Sequence, residues 1–439
     1  MHGLSLLNSK GTFSFVTSNS WLDVGYGRDL QEFLLANCPI YLIMDNRVKR
    51  TFKNADVNTV ICVFGAPVNA KQKERLKLTT PKFVMAYVPY EQILSPIVFE
   101  EIEESTEIKS CQEYRVVPKS TAELFENGSD PEKVRISQID AYTGDKWGGK
   151  YLRAPDIYYT ILEKGKGKFV RLGDIAEVRF GIKTGANEFF YLTQEQIVDW
   201  GIEEEFLKPV IKNPRESNTI DLSKSKLQYM VLMCHRPKKQ LKGLKIIKYI
   251  EYGENCGYHL RPTCSTRNIW YDLGIWKTAN CFWMESINEI NRVYINPGYL
   301  FESDKFYGIT FINNNNVHNK SVLLNATLYS LLRELKGFHG MGQGVLKLPV
   351  YDVKNIEYVD VNIENQLKII VRPQYSIFVE CGINKNESIR AQTPNPLPDR
   401  KALDDIVFDV IGLTQAERNE VYWAVCELVQ QRLAKAGSV

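Results

Sequence analysis

Eleven lysines and arginines fall between Lys208 and Lys248: Lys208, Lys212, Arg215, Lys224, Lys226, Arg236, Lys238, Lys239, Lys242, Lys245 and Lys248. Only Glu216 and Asp221 oppose them, so the segment is +9 in a chain whose formal net charge is +3. Positive charge gathered on a nearly neutral chain is the pattern that neutralises a phosphate backbone and releases its counterions. The plainer reading of the same run is a solvated lysine-rich face.

Short segments on either side mix cations, amides and aromatics. GIKTGANEFF (Gly181 to Phe190) holds Lys183, Thr184 and Asn187 among glycines that permit a tight turn or close approach to a ligand. Arg179 stands just before it. YHLRPTCSTRNIWYDLG (Tyr258 to Gly274) sets Arg261 and Arg267 near Trp270 and Tyr271, and FHGMGQGVLKL (Phe338 to Leu348) sets His339, Gln343 and Lys347 on a glycine-rich loop. Arginine and lysine suit guanine edges, glutamine and asparagine suit adenine, and phosphates accept from all of them. The candidate DNA-contacting residues are therefore Arg179, Lys183, Thr184, Asn187, Lys212, Arg236, Lys238, Lys239, Arg261, Arg267, Gln343 and Lys347. The plainer readings are an ordinary turn at 181–190, core positions for Trp270 and Tyr271, and a hydrogen-bonded structural histidine at His339.

Nine cysteines are scattered through the chain. An odd number cannot all pair, and reduced thiols are expected. Cys234 with His235, and Cys256 with His259 and Cys264, lack the short Cys-x2-4-Cys spacing of a closed zinc site, so no metal is expected. A cysteine nucleophile, Cys256 or Cys264 served by His235 or His259, is the rival enzymatic reading.

Elements must position these residues. TFSFV (Thr12 to Val16), IYLIMD (Ile40 to Asp45) and NTVICVF (Asn58 to Phe64) read as buried β-branched strands, with an amphipathic helix from Gly27 to Ala36 between the first two. This α/β pattern is too short for a complete doubly wound sheet and reads as the end of a domain. Glu100, Glu101, Glu103 and Glu104 read as a solvated face. ENGSDPE (Glu126 to Glu132) and TGDKWGGKY (Thr143 to Tyr151) read as polar connector. Short strands and turns follow, and after TPNPLPDR (Thr393 to Arg400) comes a helical pair whose second member opens on a Thr414–Glu417 capping box. With 439 residues the chain can form two to three domains, and no apolar run reaches the roughly 18 to 20 residues of a membrane-spanning helix. Lacking a signal-peptide pattern, it is expected in the cytoplasm.

Four segments resemble the adenine-N6 DNA methyltransferases of type II/IIG restriction–modification and phage-defence systems. GTFSFVTSNSWLDVGYGRDLQEFLL (Gly11 to Leu35) resembles the strand, polar turn, Trp-Leu and helix that follow that family's catalytic motif. FKNADVNTVICVF (Phe52 to Phe64) is similar to its last sheet hairpin. RLGDIAEVRFGIKTGANEFFYLT (Arg171 to Thr193) looks like the opening of a target-recognition domain, and LLNATLYSLLRELKGFHGMGQGVLKLPVYDVKNI (Leu323 to Ile356) resembles restriction–modification specificity regions. The resemblance implies that Phe52 stacks on an adenine rotated out of the duplex, where an aromatic face replaces lost base stacking. Packing into the hairpin core is the plainer role for Phe52.

The family's Asn/Asp-Pro-Pro-Tyr/Phe tetrad is missing; AYVPY (Ala86 to Tyr90) lacks the amide or acid and the second proline. Gly25 and Gly27 in VGYGRD are only a lone Gly-x-Gly, which is weak as a nucleotide loop. No catalytic residue is therefore assigned, and S-adenosylmethionine is expected to belong to the complete enzyme rather than to this chain. The expected architecture is a partial α/β methyltransferase sheet at 1–115, a connector at 116–159, an α+β target-recognition domain at 160–375 and a small helical tail at 376–439. The expected function is sequence-specific duplex DNA recognition on behalf of a catalytic half outside this chain, with no membrane partner. The alternatives are a stand-alone specificity subunit and a protein-interaction module without DNA specificity.

Overall fold

The computed structural model describes residues 2–50, 52, 57–130, 141–223, 227–339 and 342–438. Lys224 and Lys226 of the basic segment, and Pro131 and Glu132 of the expected connector, lie outside the described residues.

The first half is built on six strands: β1 (Thr12–Ser18), β2 (Ile40–Asn46), β3 (Thr59–Gly65), β4 (Lys82–Ala86), β5 (Lys109–Ser110) and β6 (Tyr114–Pro118). They form one sheet in the order β1-β3-β2-β4-β6-β5. The expected hairpin is present: β3 lies antiparallel between β1 and β2, with Thr12 opposite Gly65 and Ile43 opposite Cys62. β4 runs parallel to β2, with Asn46 opposite Ala86. Hence β1, β2 and β4 point the same way, and their carboxyl ends meet along one margin of the sheet, the margin where open α/β sheets bind ligands.

Helix α1 (Gly27–Asn37) covers one face, burying Leu34 and Leu35. Gly27 belongs to packing rather than to a nucleotide loop, because a Cβ there would sit 1.8 Å from the Trp21 carbonyl oxygen. Helix α2 (Pro96–Glu104) buries Ile102 and leaves Glu100, Glu101, Glu103 and Glu104 exposed, as expected.

Residues 116–159 do not behave as a connector. The boundary at 115 cuts through β6, and helix α3 (Thr121–Asn127), closed by a Ser120–Glu123 capping box, inserts Leu124 beneath the sheet. Trp147 is fully buried, with ring centroids 5.8 Å from Trp21 and 5.7 Å from Phe83. Removing such an indole costs roughly 3–5 kcal/mol. The polar composition of TGDKWGGKY concealed this, because two aromatics in nine residues have no periodicity. Gln31 anchors the segment, accepting from Tyr142 Oη at 2.8 Å and from the Asp145 N–H at 3.0 Å.

Helix α4 (Asp156–Lys164) leads into the second half, whose strands are β7 (Phe169–Arg171), β8 (Ala176–Phe180), β9 (Tyr191–Thr193), β10 (Leu207–Ile211), β11 (Tyr229–Leu232) and β12 (Cys281–Met284). They continue with β13 (Ser286–Ile287), β14 (Val293–Ile295), β15 (Phe301–Glu302), β16 (Phe306–Phe311), β17 (Leu346–Lys347) and β18 (Glu357–Val359). Two four-stranded sheets result, β14-β12-β16-β8 and β15-β10-β11-β9. The second sheet packs with helix α5 (Ile246–Asn255) around Phe189, Tyr249 and Tyr271. The first packs against helix α6 (Thr327–Lys336), which is buried along its whole length.

The last helices, α7 (Pro398–Ile411) and α8 (Gln415–Ala436), carry the expected capping box at Thr414 and Glu417. They are no separate tail. Val407, Phe408, Val421 and Val425 share one core with Val178, Trp283 and Tyr329. The Leu-Asn-Ala-Thr motif makes that junction: Asn325 bonds both the N–H and the carbonyl of Val293, at 2.9 and 3.0 Å, and Thr327 donates to Asp404 from its N–H at 2.6 Å and its hydroxyl at 2.7 Å. No helix among the described residues is long and apolar enough to cross a membrane.

Candidate nucleic-acid interface

At the carboxyl end of β2 the sequence turns polar, Asp45-Asn46-Arg47. Asp45 is buried and accepts from Asn19 Nδ2 at 3.3 Å, at the end of β1, and from Lys435 Nζ at 2.9 Å. Lys435 also donates to the Asn46 carbonyl at 2.5 Å, so the last turn of α8 is seated on this margin. The Arg50 N–H donates to Ser438 Oγ at 3.2 Å, and Asn58 Nδ2 to the His339 carbonyl at 3.0 Å. Thus Arg50 and Asn58, on the two arms that flank Phe52, are both held by the second half of the chain.

Phe52, between those arms, is 50 % exposed. A fully packed place in the hairpin core would bury it.

The glycine-rich loop at 338–344 packs on the same helix end. Arg432 donates to the Gly344 carbonyl and forms a buried pair with Glu334, at 2.9 and 2.7 Å. His339 Nε2 donates to the Glu334 carbonyl at 3.0 Å. Burial, with Arg153 and Arg432 nearby, holds its pKa well below the ordinary value, so it is a neutral, structural histidine. Gln343 is exposed and adopts a left-handed backbone, φ 59°. The margin therefore brings Phe52 and Gln343 onto two loops gripped by one helix end. Lys347, by contrast, is occupied by Glu285 at 2.6 Å.

A family comparison coincides with these elements. Residues 144–373, more than half of the chain, match the Type II methyltransferase M.Eco57I, C-terminal domain. The chain belongs to this family. Residues 1–52 match the Eco57I restriction-modification methylase family, a match that ends on Phe52. Among solved structures, the type IIG restriction endonuclease BpuSI is similar at 13% identity and a TM-score of 0.47, covering 99% of this chain and 49% of that one. The type IIL restriction-modification enzyme MmeI, solved in complex with DNA, is similar at 12% identity and a TM-score of 0.44, covering 96% and 50%. The chain spans about half the length of these two proteins.

The 144–373 match contains every other sequence-predicted contact residue, and the structure divides them by what already engages each side chain. Lys183 and Asn187 are exposed on the turn before β9. Thr184 is 1 % exposed and closes that turn, donating to Asn187 Oδ1 at 2.5 Å and accepting from the Ala186 N–H at 3.2 Å. Gly181 fits the backbone beneath it, since a Cβ would lie 2.0 Å from the Ser303 carbonyl oxygen. Arg267 clamps the turn by donating to the Lys183 and Thr184 carbonyls at 2.9 and 2.8 Å, and Arg261 pairs with Glu188 at 2.8 Å. Arg267 and Thr184 thus shape the turn rather than stand free on it. Trp270 packs 4.6 Å from Phe189, centroid to centroid, in the core role expected of it.

Arg179 reaches over Trp276, 5.1 Å from the ring centroid, with Glu302 Oε1 at 3.4 Å beneath. Glu302 is completely buried, and burial pushes its carboxyl up to about 7 against the opposing pull of Arg179. Lys212 lies 4.0 Å over the Tyr229 ring. In the basic segment, Arg236 pairs with Glu205 at 2.5 Å and Lys238 with Glu254. Lys208, Lys239, Lys242, Lys245 and Lys248 are exposed and make no ion pair among the described residues. Of the expected pair Lys238 and Lys239, only the second keeps its charge uncommitted.

The sequence reading missed Lys435 and Arg432. A lone Lys or Arg near the end of a surface-looking helix carries no local signal of what it meets. Among the described residues no three His, Cys, Asp or Glu side chains group as metal ligands. His235 instead bonds Asp272 at 2.6 Å, and Cys264 is buried, its thiol pKa raised by that burial. Among the described residues no hydrogen bond joins Cys256 or Cys264 to His235 or His259, which weakens the nucleophile reading.

Proposed function

We propose that this chain is the DNA-recognition part of an adenine-N6 methyltransferase of the restriction–modification type, which presents a flipped adenine to a catalytic half. The observation that carries the reading is Phe52: an exposed aromatic between β2 and β3, flanked by Arg50 and Asn58, which bond Ser438 after α8 and the His339 carbonyl of the loop bearing Gln343. Base pairing is broken when a nucleotide is extruded, and a ring offered at that point recovers stacking. Lys183, Asn187 and Gln343 are the side chains available for base edges, and Lys208, Lys239, Lys242, Lys245 and Lys248 those available for phosphates.

Strand β1 supports a partner for the sheet. Among the described residues it pairs only with β3, and Phe15 and Val16, on its two faces, are 53 % and 44 % exposed. An open edge of this β-branched, aromatic composition is a template for another strand, which the catalytic half would supply. S-adenosylmethionine is assigned to the complete enzyme in this reading: Gly27 packs on the Trp21 carbonyl, and the sequence carries no Asn/Asp-Pro-Pro-Tyr/Phe tetrad. No methyl-transfer step is assigned to this chain.

Selection of bound duplexes from a randomised DNA pool at two salt concentrations tests the reading. Enrichment of a short adenine-containing motif is expected. Binding that ignores salt, or no binding at low salt, would turn the assignment to a protein-interaction module.

A further inference from the structure

Arg47 follows the last residue of β2, where β2 and β4 end side by side. Its N–H donates to the Ala86 carbonyl at 2.9 Å, and its guanidinium lies 3.9 Å from the centroid of the Tyr87 ring. Backbone and ring together hold the side chain over a cleft of about 210 Å³ that Arg115, Arg153, Arg390 and Gln431 also line. The neighbouring cations are already matched: Arg115 with Asp156 at 2.6 Å, Arg153 with Asp23 at 2.9 Å, and Arg390 with Glu420 and Glu427 at 2.6 and 2.8 Å. Arg47 makes no ion pair among the described residues. Burial lowers its pKa, the Tyr87 ring and the charge of Glu427 oppose that, and Arg115 and Arg390 add to the lowering. A half-buried guanidinium crowded by like charges and lacking its own carboxylate is a place for an incoming anion.

We propose that Arg47 binds a phosphate group, that of the DNA strand whose base Phe52 receives. This rests on the DNA reading above. Phe52 lies five positions after Arg47 in the sequence, a reach of at most about 17 Å, so ring and guanidinium address the same short stretch of strand. The planar fork takes two phosphate oxygens, and Tyr87 keeps it oriented before the ligand arrives.

The test uses the full chain and Arg47→Gln, with fluorescence anisotropy on a labelled duplex across a salt series. The expected result is weaker binding to all sequences alike and a slope of log affinity against log salt that is shallower by about one. Arg47→Lys should restore the slope while binding severalfold more weakly than the natural chain. An unchanged slope in Arg47→Gln, with normal duplex binding by the natural chain, overturns the proposal and leaves the DNA reading intact. If the natural chain binds no duplex, the DNA reading fails, and inorganic phosphate decides for the cleft by itself. Arg47-dependent elevation of the thermal midpoint by phosphate would keep an anion site for a free phosphate ligand; its absence would remove the site. Equal urea midpoints of the three proteins confirm that the comparison concerns binding.

Discussion

Lys435 places its ammonium 2.9 Å from the Asp45 carboxylate, joining residues 390 positions apart, with side chains only 14% and 4% exposed. The pair seats the end of α8 on the end of β2, where the loop bearing Phe52 departs. Removing one partner strands the other charge in a poorly solvated place, a cost of roughly 3 kcal/mol. Lys435→Met should lower stability by that amount in urea denaturation. Asp45→Asn combined with Lys435→Met should cost less than the sum of the single changes. Strict additivity would show that the two residues do not act as a pair.

Phe52 is exposed, so Phe52→Ala should alter stability by less than about 0.5 kcal/mol. Duplex affinity should stay near normal. With a catalytic half restored, methyl transfer should fall about tenfold to a hundredfold, the worth of one lost base stack. Unaltered turnover in that complex would remove the stacking role.

Lys238 is held by Glu254, whereas Lys239 and Lys242 are uncommitted. Lys239→Ala with Lys242→Ala should reduce the salt slope of duplex binding by about two, and Lys238→Ala should change it by less than one. A larger effect from Lys238 would place the phosphate footprint on the α5 side of that ion pair.

Glu302 has a folded pKa raised to about 7 from its ordinary 4.5. The folded chain therefore holds this proton more tightly than the unfolded chain does. The stability it contributes is complete below the unfolded value and is lost as pH rises through the folded one. Between pH 5 and pH 8 the natural chain should lose roughly 3 kcal/mol relative to Glu302→Gln. Urea midpoints of the two proteins at both pH values check this. Parallel midpoints would mean that Arg179 keeps the carboxylate ionised throughout.

What the sequence determined by itself is local: β1 to β3, helix α1, the Thr414–Glu417 cap, and the family resemblance carried by Gly11–Leu35 and Arg171–Thr193. Strand alternation, helical spacing and capping act between residues a few positions apart, and a linear reading captures them. Only the tertiary structure decided that Trp147 belongs to the sheet core, that α7 and α8 share a core with β8 and β12, and that Thr184 and Arg267 serve the turn beside them. It also decided which cations remain available, because an ion pair such as Lys238–Glu254 or Lys435–Asp45 depends on how distant segments fold together. Residue type sets what a side chain can do; the neighbours that long-range packing brings to it set whether that capacity is already used.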